Sequence, residues 1–120
     1  MPPDPTLSTD GPIKVRIEAQ TVHAGHATVY LLPPGKTAWE QEKVIATSGA
    51  FPAEVDYTVT KGTYLGWNLT VATYPPAATN YQIVLHVAQN GSDVAEGALA
   101  ITGTTAADGV DIDLDSVKLR

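Results

Sequence analysis

The stretch Tyr81–Ile101, YQIVLHVAQNGSDVAEGALAI, decides the fold. Tyr81, Ile83, Leu85 and Val87 alternate with Gln82, Val84, His86 and Ala88. That period of two sends every second side chain to one face of a strand. Asn90-Gly91 follows. Both central residues of a tight type I′ turn need positive φ, which Asn and Gly adopt most readily, so the pair marks a hairpin. Tyr81–Ala88 is therefore expected to pair antiparallel with about Val94–Ile101.

The same alternation recurs outward from this hairpin. Ile13, Val15 and Ile17 oppose Lys14, Arg16 and Glu18. Ala27–Leu32 reads as a second strand, stopped by Pro33-Pro34-Gly35, because proline cannot donate to a ladder. Thr21–Gly25 reads as the connection before it. Thr37-Ala38-Trp39-Glu40 has the form of a capping box, which predicts a turn of helix within Ala38–Lys43 and then a strand at Lys43–Thr47. Glu54–Val59 turns Val55, Tyr57 and Val59 inward. Tyr64–Thr73 turns Leu65, Trp67, Leu69 and Val71 inward, with Trp67 the largest core residue. Val110–Leu119 is the last strand. Val, Ile and Thr make up just over a quarter of the chain, and these side chains suit a pleated surface. The expected fold is all-β, a seven- to eight-stranded antiparallel β-sandwich.

A length of 120 residues fits one domain. Residues 1–11, MPPDPTLSTDG, read as a flexible proline-rich leader, and residues 12–120 as the sandwich. The leader lacks the basic and apolar regions of an export signal. Two histories fit it. The chain is cytoplasmic or virion-associated from Met1, or an export signal has been removed and it is periplasmic, secreted or surface-exposed. Cysteine is absent, which excludes disulfides, thiol nucleophiles and thiolate metal sites. The formal net charge is -6 with no basic run, a poor match for nucleic acid or an anionic membrane. No apolar run approaches the roughly 20 residues that span a bilayer.

Few residues suggest chemistry. His23 and His26, three apart, would chelate a metal only if a turn joined them and a third ligand came from elsewhere; they read as loop histidines. His86 reads as a surface histidine. None of Ser8, Ser48, Ser92 and Ser116 lies in a Gly-x-Ser-x-Gly elbow. Asp111, Asp113 and Asp115 alternate with apolar residues and fall nearly 7 Å apart along one strand face. That is too wide to chelate calcium without a helping loop, so the reading is a solvated face or a charged, protected edge, with a calcium site as the alternative. Trp39, Tyr74 and Phe51 fall in or beside loops, where aromatic rings can form a ligand platform or plug the loops.

The order of short strands is similar to that of immunoglobulin-like, transthyretin-like and carbohydrate-binding sandwiches. The ending Asp113-Leu114-Asp115-Ser116-Val117-Lys118-Leu119 resembles the last strand of carbohydrate-binding jelly rolls, over fewer than ten residues. Ala27–Leu31 and Tyr81–Gly91 resemble pieces of small secretion-associated lipoproteins of the pilotin kind, without the basic proline-containing motif expected early in such a chain. No functional residue is carried over from these likenesses.

The expected function is a non-enzymatic binding or structural module, extracytoplasmic or on a particle surface, acting through protein–protein contacts. The alternatives are a carbohydrate-binding module, with calcium at the C-terminal acids, and a pilotin-like lipoprotein. A small hydrolase or metal enzyme built from His23, His26 and the aspartates ranks last. No cofactor is expected beyond that calcium ion.

Overall fold

The structure, a computed structural model, describes residues 5–19, 23–45, 54–73 and 77–120. Its eight strands are β1 (Gly11–Ala19), β2 (His23–Leu32), β3 (Glu40–Val44), β4 (Glu54–Val59), β5 (Thr63–Ala72), β6 (Asn80–Gln89), β7 (Ser92–Thr104) and β8 (Val110–Leu119). They form two antiparallel sheets of four, ordered β4-β1-β6-β7 and β3-β2-β5-β8. The molecule is an all-β sandwich. Its first two strands lie in opposite sheets, whereas the immunoglobulin constant type keeps them in one. No helix among the described residues is long and apolar enough to cross a membrane.

The alternating residues fill the space between the sheets. Ile13, Val15 and Ile17 from β1 and Ile83, Leu85 and Val87 from β6 meet Val29, Leu31, Leu65, Trp67 and Leu69 from the second sheet, all buried. Trp67 is fully enclosed. Asn90 and Gly91 take φ of 56° and 81°, as the hairpin requires. β7 is longer than expected and slips register opposite the stretch between His86 and Ala88.

Three local expectations give way to tertiary pairing. The capping box starts no helix. β3 begins at Glu40 and pairs with β2, Thr28 opposite Val44 and Val29 opposite Lys43. One or two turns of isolated helix are marginal in water, and a sheet edge offers the backbone ready partners. Gln41, at φ 55°, bends the strand where its register shifts, and its carbonyl accepts from Tyr57 Oη at 2.7 Å. The last two residues of the expected Lys43–Thr47 strand lie outside the described residues. Secondly, β2 begins at His23 rather than after Gly25, so both early histidines belong to a strand. Gly25 is the extra residue between the pairs Ala24–Val71 and His26–Thr70, a bulge that glycine accommodates cheaply.

Thirdly, the described part of the expected leader, residues 5–11, is docked. Leu7 is buried in the core. Its N–H donates to the Arg120 carbonyl at 2.6 Å, and the Arg120 N–H donates to the Pro5 carbonyl at 2.9 Å. The buried Gln89 amide holds Ser8 and Thr9, accepting from Ser8 N at 3.0 Å and donating to the Thr9 carbonyl at 2.9 Å. A single leucine among prolines and polar residues shows no periodicity, which is why this docking is invisible in the sequence.

Candidate functional site

The two outer faces of the sandwich differ. On the first sheet the outward residues form a charged lattice. Lys14 lies 3.4 Å from Glu54 and 3.2 Å from Asp56, Arg16 lies 3.6 Å from Glu18, and His86 Nε2 lies 3.1 Å from Glu18. The Lys14 and Arg16 pairs are exposed and contribute little stability but keep the face wet, whereas the His86 side chain is only 15 % exposed.

The second sheet turns apolar and aromatic side chains to solvent. The reason lies in the register of β8. Leu119 stands opposite Thr63, Val117 opposite Leu65, Asp115 opposite Trp67, Asp113 opposite Leu69 and Asp111 opposite Val71. Directly opposed residues share a face. The acids therefore line the inner face, and Val110, Ile112 and Leu114 point outward. Ile112 is 60 % and Leu114 64 % exposed. This reverses the expected solvated row of acids. Val117 and Leu119 are buried and share the acids' parity, and their burial sets the orientation of the whole strand.

Being at the sandwich rim, the acids find partners there. Asp113 Oδ2 accepts from Trp67 Nε1 at 2.8 Å, and Asp111 Oδ2 accepts from Tyr81 Oη at 2.7 Å. Burial, and next the Asp111 carboxylate, push the Tyr81 hydroxyl pKa far above its ordinary value. Asp111 and Asp113 are half-buried and Asp115 is exposed, its Oδ1 accepting from Ser116 N at 2.8 Å. Among the described residues no group of three or more His, Asp or Glu converges as metal ligands would.

At the other end of the same face stands an aromatic corner. Trp39, 45 % exposed, meets Tyr30 edge-on, ring centroids 4.9 Å apart at 67°. Both rings rest on Gly66, where a methyl would fall 2.5 Å from Tyr30 Cε1 and 3.0 Å from Trp39 Cζ3. Glu40 and Glu42 complete a small pocket of ≈ 240 Å³ with the two rings. Burial, and then Glu42, raise the Tyr30 pKa. Of the three loop aromatics singled out in the sequence, Trp39 belongs to this corner; Phe51 and Tyr74 lie outside the described residues, as do the side chains of His23 and His26. Tyr30, Ile112 and Leu114 were not expected at a site. The parity conflict within Val110–Leu119, apolar at even positions first and at odd positions later, was the signal for the last two.

A cleft of ≈ 470 Å³ lies at the β3–β4 rim, lined by Lys14, Gln41, Lys43, Asp56 and Tyr57 among others. Its polar groups bind one another. Lys43 donates to the Asp56 carbonyl and sits over the Tyr57 ring, 4.6 Å from its centroid, and Tyr57 Oη reaches the Val29 carbonyl at 3.0 Å. It reads as rim packing. Comparison of the chain with known protein families, with curated proteins and with solved structures gave no match.

Proposed function

We propose that this chain is a non-enzymatic binding module, extracytoplasmic or on a particle surface, that acts through protein–protein contacts on the outer face of β3-β2-β5-β8. One observation carries the reading: Ile112 and Leu114 stand largely exposed on a rim strand. The parity that exposes them also turns the neighbouring acids inward, so the arrangement is built into the register. Neighbouring exposed apolar residues on one sheet face favour a partner that removes them from water.

The test is a photo-crosslinking residue at position 112, with position 58, on the opposite outer face, as control, expressed in the source cells. The expected result is a discrete protein adduct at 112 and none at 58. Equal adducts at both positions, or none at either, would contradict the reading.

The aromatic corner favours a second reading, a sugar site. The half-exposed Trp39 ring would stack on a pyranose face while Glu40 and Glu42 accept its hydroxyls. Saturable quenching of tryptophan fluorescence by an oligosaccharide, lost in Trp39→Ala, would support it; no change across a glycan panel would remove it.

A further inference from the structure

Resting on the first of these readings, we propose that the free edge of β8 accepts an extended peptide strand of a partner protein, one that alternates Lys or Arg with apolar residues.

Thr73 N donates to the Gly109 carbonyl, which places odd-numbered residues of this strand toward β5. Even-numbered residues then face away. Val110 N turns to Asp108 Oδ1 at 3.1 Å, the Val110 carbonyl accepts from Ala106 N at 3.1 Å, and Ser116 N turns back to Asp115. Arg120, also even, bonds Pro5 and Leu7 on that side. Between these capped positions lie Ile112 and Leu114. β8 is the end strand of its sheet, and among the described residues no strand pairs with this edge. Their N–H and C=O groups form a template for one more strand.

Side-chain chemistry then selects the occupant. A strand added at this edge shares both faces of β8. On the outer face it meets Ile112 and Leu114, which call for apolar residues. On the inner face it meets Asp111, Asp113 and Asp115. Trp67 and Tyr81 occupy one oxygen each of Asp113 and Asp111. A carboxylate accepts through both oxygens, so each can still receive a cation. Lys or Arg at every second position matches the acids, and apolar residues between them match the isoleucine and leucine.

A second copy of the chain fits poorly. Side-by-side antiparallel pairing of β8 with itself keeps like faces together, whatever the register. It sets one row of aspartates against another, and like charges directly opposite one another destabilise a pair.

The experiment uses three labelled peptides of about eight residues, a usual strand length, with blocked termini, each verified as monomeric. One alternates Lys with Val, one alternates Glu with Val, and one has the Lys–Val composition in two blocks. Binding is read by anisotropy and by amide shifts of isotope-labelled protein. The Lys–Val alternating peptide is expected to bind saturably, shifting the amides of Ile112 and Leu114, with the other two about tenfold weaker or more, a gap of roughly 1.4 kcal/mol. Leu114→Pro, which removes a donor on the free edge, should abolish binding. If that variant does not fold, the pair Ile112→Thr with Leu114→Thr should weaken it by a similar factor. Equal binding of all three peptides, shifts away from β8, or no binding would overturn the proposal. With crosslinking at position 112 still specific, the partner chemistry alone fails; with crosslinking lost as well, the reading of the face fails.

Discussion

Tyr81 Oη donates to Asp111 Oδ2 at 2.7 Å, a bond that ties β6 of one sheet to β8 of the other. Tyr81 reaches that far because Gly103 stands opposite it on β7. A methyl on Gly103 would fall 2.5 Å from the Tyr81 hydroxyl. Tyr81→Phe is expected to cost about 1.5–3 kcal/mol, the range for a hydrogen bond to a charged acceptor. Gly103→Ala should cost a similar amount, about 1–3 kcal/mol, by overpacking. Urea unfolding of both variants checks this; a cost near zero for Gly103→Ala would show that the ring does not lie over the glycine.

Alkaline stability follows from the buried phenols. Burial, and secondarily Glu42, push Tyr57 up to about 12, and Tyr81 is also raised. A raised folded pKa means that the contribution is complete below the unfolded value near 10 and is lost as pH climbs from there toward the folded value. Stability is therefore expected to fall from about pH 10 upward. Tyr57→Phe and Tyr81→Phe should flatten that fall. Ultraviolet titration of tyrosinate, run beside circular dichroism, reads both effects; an unfolding profile flat to pH 12 would contradict it.

The two tryptophans should differ sharply. Trp67 is fully buried and Trp39 is 45 % exposed. Trp67→Ala should cost about 3–5 kcal/mol, as loss of a large buried aromatic does. Trp39→Ala should cost clearly less, since much of its ring is already in water. Equal losses would mean that Trp39 is a core residue.

Among the acids, position sets the penalty. Asp113→Ala strands Trp67 Nε1 and should cost about 1–3 kcal/mol. Asp115→Ala removes an exposed carboxylate and should stay within about 0.5 kcal/mol. Calcium is expected to leave the melting midpoint of the parent protein unchanged. A calcium-dependent rise that Asp111→Asn abolishes would instead place an ion at this rim.

The core was largely legible. Ile13, Val15, Ile17, Tyr57, Leu65, Trp67 and the inward residues of Tyr81–Val87 follow from alternation alone, because one face of each strand must leave water. Glu54–Val59 and Val110–Leu119 match observed strands at both ends. What escaped depends on long-range pairing. The capping box at Thr37 is a local signal, and β2 overrides it. The orientation of β8 was open for a subtler reason. Its apolar residues change parity between Leu114 and Val117, so either half could claim the core. The longer half, Val110–Leu114, suggested acids outward. Pairing with Leu65 and Thr63 placed Val117 and Leu119 in the core instead, and the buried Trp67 and Tyr81 serve as donors to two of the acids turned inward. The candidate site therefore sits where the pattern conflicts with itself.

Amide hydrogen exchange of the isolated protein, resolved residue by residue, tests the open edge of β8 most directly. Asp113 and Asp115 point their N–H groups at β5 and should exchange slowly. Ile112 and Leu114 point theirs at the free edge and should exchange far faster, in alternation along one strand. Uniform slow exchange across Asp111–Asp115 would mean that the edge is already covered, leaving no place for a partner strand.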